Sequence, residues 1–153
     1  MTAQPPQTTL ALPEETLARA INRITRSHKG DTYQNGVRPG QRKLEQFREV
    51  CRYRGVPELY APKGEDAITF AFIKLFNPSG NWTWYITEFS LVSPDGIPDL
   101  AFGLVDGHEE EVGYFALGGE DGLAFVQGRF GIGIEVDMHF LPTPLDQIKK
   151  RIW

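Results

Sequence analysis

Asn77-Pro78-Ser79-Gly80-Asn81-Trp82-Thr83-Trp84-Tyr85-Ile86-Thr87-Glu88-Phe89 is the stretch whose reading decides how this 153-residue chain folds. Asn stands at the first turn position, Pro at the second and Gly at the fourth, the composition a type I turn prefers. So tight a turn makes the segments on either side antiparallel neighbours. Downstream, Asn81 to Ser90 is expected to form a strand with Trp82, Trp84, Ile86 and Glu88 on one face and Thr83, Tyr85, Thr87 and Phe89 on the other. Upstream, Ala67 to Phe76 is aromatic and β-branched and reads as its partner.

Toward the C-terminus the strand signals repeat. Pro94-Asp95-Gly96 turns the chain, and short strands are expected over Leu100 to Val105, Glu111 to Leu117 and Leu123 to Gln127, punctuated by Asp106-Gly107 and Gly118-Gly119. A last strand, Ile132 to Phe140, precedes a break at Pro142 and Pro144. Thr143 can cap a terminal helix over Leu145 to Arg151, with Lys149, Lys150 and Arg151 at its negative end. The tract from Gly128 to Gly133 reads as a turn or bulge.

Toward the N-terminus the period becomes helical. Leu44, Phe47, Val50 and Cys51 give Gln41 to Arg54 one apolar stripe, which Gly55 ends. Gly30 to Gly40 reads as a loop, and Pro13 to Ser27 as a further helix with Leu17, Ala20, Ile21 and Ile24 inward. Residues 1–11 hold too little apolar content to order themselves and read as a mobile tail. The expected fold is therefore α+β: a meandering antiparallel sheet of about five or six strands, two N-terminal helices and a short C-terminal helix, in one domain over 12–153.

Composition sets further bounds. The 41% apolar and 24% charged content is that of a soluble globular protein, and no apolar run approaches a membrane span. MTAQPPQTTLALPEE lacks a basic stretch leading into an apolar block, so no secretory signal is expected and the cytoplasm is the expected compartment. The one cysteine, Cys51, lies on a helix stripe where a small buried hydrophobe belongs. The net charge of −4 is unevenly spread: residues 1–63 carry 11 Lys and Arg against 6 Asp and Glu, and residues 64–153 carry 5 against 14. The basic part is thus +5 and the acidic part −9. Such an imbalance either draws the halves together or presents a charged face to a partner.

Three chemistries can be placed on this pattern. On a continuous last strand, Glu135, Asp137 and His139 share one face, a ligand set that suits zinc, manganese or iron if another strand adds Glu88, Glu109 or Glu111. Plain alternation of an inner apolar and an outer polar face explains the same residues without a metal. Arg42, Lys43, Arg48 and Arg52 line the outer face of the Gln41–Arg54 helix and could meet phosphate. However, Glu45 with Arg48 and Glu49 with Arg52 form i,i+3 pairs typical of a solvated helix. Trp82, Trp84, Tyr85 and Tyr114 could stack bases, but their acidic surroundings repel phosphate; core packing of the indoles against the helices, with one ring partly exposed, is expected. Glu88 beside indole rings could serve as a desolvated acid or base. No GxSxG, P-loop or dinucleotide fingerprint is present, so no cofactor is expected.

Lys74 to Glu88, Phe102-Gly103-Leu104-Val105, Glu111-Val112-Gly113-Tyr114-Phe115 and Asp137-Met138-His139-Phe140 together resemble a family of small bacterial domains of unknown function, typically carried by plasmids, integrative elements and phages. The resemblance covers roughly Glu65 to Ile148 and leaves the N-terminal helices outside. Where the family pattern has an arginine before the aspartate, this chain has Val136, so a Glu–Arg–Asp cluster is not carried over. The resemblance implies a mobile-element setting and no mechanism. In that setting the expected function is non-enzymatic, of antirestriction or anti-CRISPR type: Glu88, Glu109, Glu110, Glu111, Glu120, Asp121, Glu135 and Asp137 would engage a basic host protein such as a nuclease. A metal enzyme at Glu135, Asp137 and His139, and a nucleic-acid adaptor using the basic helices, are the alternatives.

Overall fold

The NPSG turn forms as its composition demands. In the computed structural model, which describes residues 40–126 and 133–152, the Gly80 amide donates to the Asn77 carbonyl at 3.1 Å and the Asn77 side chain accepts the Ser79 amide at 2.9 Å. The turn joins β2 (Ile73–Phe76) to β3 (Thr83–Val92) in antiparallel register, with Phe76 opposite Thr83. β4 (Pro98–Asp106) and β5 (Glu110–Ala116) continue the meander. On its other side β2 pairs with the two-residue β6 (Glu135–Val136), giving a five-stranded antiparallel sheet of order β5-β4-β3-β2-β6. A second ladder joins β1 (Phe70–Ala71) to β7 (Thr143–Pro144).

Two layers cover this sheet. Helix α1 (Gln41–Arg54) sets Leu44, Phe47, Val50 and Cys51 against Ile73, Leu75, Trp84, Ile86, Phe89, Ala101 and Leu117. It closes with a Schellman motif, the amides of Gly55 and Val56 donating to the Arg52 and Cys51 carbonyls, and Gly55 supplies the positive φ this requires. Burial pushes the Cys51 thiol pKa up, so it stays an inert, protonated core residue. Helix α2 (Leu145–Ile152) contributes Ile148 to a second cluster with Ala71, Tyr85 and Leu104, and Phe140 and Leu145 pack on it. The Arg54 guanidinium crosses between layers to the Phe140 carbonyl at 3.0 Å. Both faces of β3 are therefore covered over most of its length, and Trp84 to Ser90 are buried without alternation.

Several expected boundaries move. The register of β3 against β4 shifts between Ile86 and Glu88. This bulge puts Phe89, not Glu88, in the cluster with Trp84 and Ile86, because an extra residue reverses the alternation beyond it. Leu123–Phe125, expected as a strand, is a 3₁₀ turn that packs Leu123 and Ala124 under α1. The expected last strand survives only as Glu135–Val136, because the Asp137 carboxylate accepts the His139 amide at 2.9 Å and turns the chain. Among the described residues α1 is the one long helix. The expected Pro13–Ser27 helix and the 1–11 tail lie outside the described residues, as does most of the 128–133 tract. No helix among those described is long and apolar enough to cross a membrane.

One ion pair fastens helix to sheet. Asp99 is buried with φ 51°, and both its carboxylate oxygens accept from Arg48, Nε and Nη2 each at 2.8 Å. The carbonyl of Asp99 accepts the Leu117 amide at 2.9 Å, and a Cβ on Gly118 would lie 2.7 Å from the carboxylate. Gly118 is required there by space. Replacing Arg48 with Met leaves the Asp99 carboxylate buried without its cation and should cost ~2–3 kcal/mol. Urea unfolding measures it, and a change within about 0.5 kcal/mol, as for a surface substitution, would show the pair to be dispensable.

Candidate functional site

The strand registers bring two turns to one end of the sheet. Phe76 pairs with Thr83 and with Glu135, Thr83 pairs with Asp106, and Asp106 pairs with Glu110. The turns at 77–82 and 107–109 therefore lie side by side, whereas 137–139 runs back along β2, with the Asp137 amide donating to the Lys74 carbonyl at 2.9 Å. Between 77–82 and 137–139 is a cleft of ≈ 510 Å³, lined by Lys74, Phe76, Asn77, Trp82, Asp137 and His139 among others.

Trp82 is the centre of this end. As the last residue before β3 it escapes the cover that buries Trp84, and it remains 37% exposed. Its ring is nevertheless fixed: 6.0 Å from Trp84, 5.5 Å and edge-on to His108, and so close to Gly107 that a Cβ there would sit 2.6 Å from the indole. Gly107 thus lets the β4–β5 turn lean on the ring. The sequence marked Trp82 for the core with one ring left partly open, and this is the open one. The same reading passed over Lys74, Phe76 and Asp106. Their signal was positional, since each stands at or near the end of a strand that runs to this turn cluster.

The carboxylates expected to form one acidic surface divide into three groups. Glu109, Glu110 and Glu111 stand at this end, and among the described residues none of them, nor Asp106, has a cation within ion-pair distance. One oxygen of Glu110 is shielded from water and has no hydrogen-bond partner among the described residues. Glu135 also lies at this end and Asp137 two residues further back along β2, and both face lysines: Glu135 meets Lys43 at 2.6 Å and Asp137 meets Lys74 at 3.7 Å. Glu120 and Asp121 follow the far end of β5, where Ala116 pairs with Leu100. Glu88 is mid-sheet, 8% exposed, held by Lys63 at 2.6 Å.

The other expected site residues are placed as follows. Glu135, Asp137 and His139 do not share a strand face, and the described residues contain no group of three or more His, Cys, Asp or Glu side chains able to hold a metal ion. Of the basic residues on α1, Lys43 bonds Glu135, Arg48 bonds Asp99 and Arg52 bonds Glu49; Arg42 is exposed. Tyr114, on the exposed side of β5, packs edge-on to Phe102, and its hydroxyl lies 2.7 Å from that of Tyr60. Beside α1 a wider hollow of ≈ 680 Å³ is floored by Val56, Phe89 and Leu91 and rimmed by both Arg48 and Arg52 and the carboxylates that pair or neighbour them.

The fold and site define a small α+β domain with a partly exposed tryptophan and several carboxylates at the turn end of one antiparallel sheet. The chain belongs to the family DUF2958, described as proteins of unknown function, whose model matches residues 57–147. Neither the curated proteins nor the solved structures provide a match.

Two predictions follow from these contacts. Gly107→Ala should overpack the Trp82 ring and destabilise the domain by ~1–3 kcal/mol. Its near-ultraviolet circular dichroism should change with it, and a spectrum and melt like those of the parent would show that the ring is not held there. The hydrogen bond with Tyr114 pushes the Tyr60 hydroxyl up to about 12. Because the folded value is raised, its contribution is full below the unfolded value of about 10 and is lost as pH rises through about 12. The difference in melting temperature between the parent and Tyr114→Phe should be constant below pH ~10 and shrink above it; a difference that grows with alkaline pH would contradict the assignment.

Proposed function

We propose that this domain acts without catalysis, by docking a cationic face of a partner protein on the turn end of its sheet. The observation that carries the reading is the charge imbalance around Trp82. Asp106, Glu109, Glu110 and Glu111 crowd that end without cations of their own among the described residues, beside an aromatic ring that is exposed yet rigidly held. A fixed aromatic with a polar rim is the usual anatomy of a binding hot spot, since the ring loses little entropy on contact. Uncompensated carboxylates repel one another, and a cationic partner relieves that repulsion while steering the encounter.

The cationic groove of a nuclease or other nucleic-acid-binding protein fits this surface, with carboxylates standing where phosphates would. The setting we propose is a mobile-element accessory protein that occludes such a host enzyme in the cytoplasm. Arg48, Lys43 and Arg52 support no rival reading, since each is already paired with a carboxylate.

The test uses the immobilised domain and a host lysate. Nucleases or nucleic-acid-binding proteins should be retained at low salt and released at roughly 0.5 M salt, where the screening length falls to a few ångströms. The double variant Glu109→Lys with Glu111→Lys should lose that capture while melting at the parent temperature. Charge reversal at Glu120 and Asp121, at the other end of the sheet, should leave it intact. Capture that survives the first reversal, or is lost only with the second, would contradict the proposal.

A further inference from the structure

The cleft beside Trp82 combines features that select one kind of side chain. Its walls are apolar at Phe76, Val136 and Met138, aromatic at Trp82 and polar at Asn77, Asn81 and Asp137. Asp137 is only partly committed. One carboxylate oxygen accepts the His139 amide at 2.9 Å, whereas the other stands 3.7 Å from the Lys74 ammonium, beyond hydrogen-bond distance. A carboxylate oxygen with acceptor capacity left, in the same cleft as a partly exposed indole, matches a guanidinium. That group is planar, weakly hydrated and able to stack on an aromatic ring while donating to a carboxylate. An ammonium is more strongly hydrated and lacks the flat face. An anion is less suited, because the only cation lining the cleft among the described residues, Lys74, already faces Asp137.

We infer that this cleft receives an arginine side chain of the partner, its stem against Phe76 and Met138 and its guanidinium between the Trp82 ring and the Asp137 carboxylate. The inference rests on the docking function proposed above and names its anchor. Lys74 then acts as an internal competitor: it neutralises Asp137 when the cleft is empty and must yield when a guanidinium enters. Replacing Lys74 should therefore strengthen arginine binding, an effect that neither an anion site nor a merely structural Lys74 would produce.

The test is a nuclear magnetic resonance titration of the full chain with N-acetyl-arginine amide, followed at the Trp82 indole N–H and at His139. We expect saturable shifts at both, a response to N-acetyl-lysine amide at least about threefold weaker, and a loss of affinity of about threefold or more in Asp137→Asn. Lys74→Met should bind the arginine probe more tightly than the parent. No shift at Trp82, an equal response to the lysine probe, or loss of binding in Lys74→Met would overturn the inference. If these probes fail while salt-sensitive capture through Glu109 and Glu111 persists, the arginine anchor is wrong and the docking function stands. Loss of that capture with the arginine response retained would instead remove the function and leave a guanidinium site.

Discussion

The forked pair between Arg48 and Asp99 is the constraint on which the arrangement depends. Asp99 opens β4 with a left-handed backbone, and its carboxylate lies under the sheet against Gly118. Arg48 reaches it from the middle of α1 with two parallel bonds, which fix the orientation of the helix as well as its distance. The hydrogen bond between Arg48 and Asp99 also raises the arginine pKa, which favours the charged guanidinium. Because the Asp99 carbonyl holds the Leu117 amide, the same residue sets where β5 ends. Its consequence at the other end is register: once β4 and β5 are fixed, Asp106 and Glu110 face each other and the turn between them meets Trp82.

Local chemistry was legible in the sequence and long-range pairing was not. The NPSG turn, the antiparallel β2–β3 pair, the apolar stripe of α1 with its Gly55 stop and the terminal helix all follow from residues within a few positions of one another. The bulge after Ile86 does not, because it depends on how β3 pairs with β4. Leu123 to Phe125 was misread because a short apolar run carries no period that separates a strand from a buried 3₁₀ turn. The last strand was overextended because strict alternation from Glu135 to His139 outweighed the local signal of Asp137, an aspartate two residues before an amide it can bond. Arg48 had a neighbour of the right charge at Glu45, and the sequence could not reveal the better partner 51 residues away.

The candidate site was legible in its parts and not in its assembly. Glu109, Glu110, Glu111, Glu135 and Asp137 were each visible as carboxylates on a strand or turn. Only the sheet order and register show that the β5 glutamates and Glu135 reach the same end from opposite edges, that Asp137 lies further back beside Lys74, that Glu88 is buried, and that Glu120 and Asp121 belong elsewhere. The shared end also explains why one stretch supplied both the folding signal and the candidate site. The turn that starts β3 leaves its first indole beyond the cover of either helix, so that Trp82 forms surface while Trp84 forms core. In the function proposed here, a fixed ring among carboxylates that have no cation among the described residues would be a binding surface prepared in advance, which limits the entropy lost on association.

The most direct measurement of this account is hydrogen–deuterium exchange on the domain alone and in complex with a captured cationic partner. The account predicts slowed exchange confined to the turns at 77–82 and 106–111 and to 137–139 across the cleft, with the rest of the sheet unchanged. Protection centred instead on the Tyr60–Tyr114 face of β5, or on the outer face of α1, would contradict it.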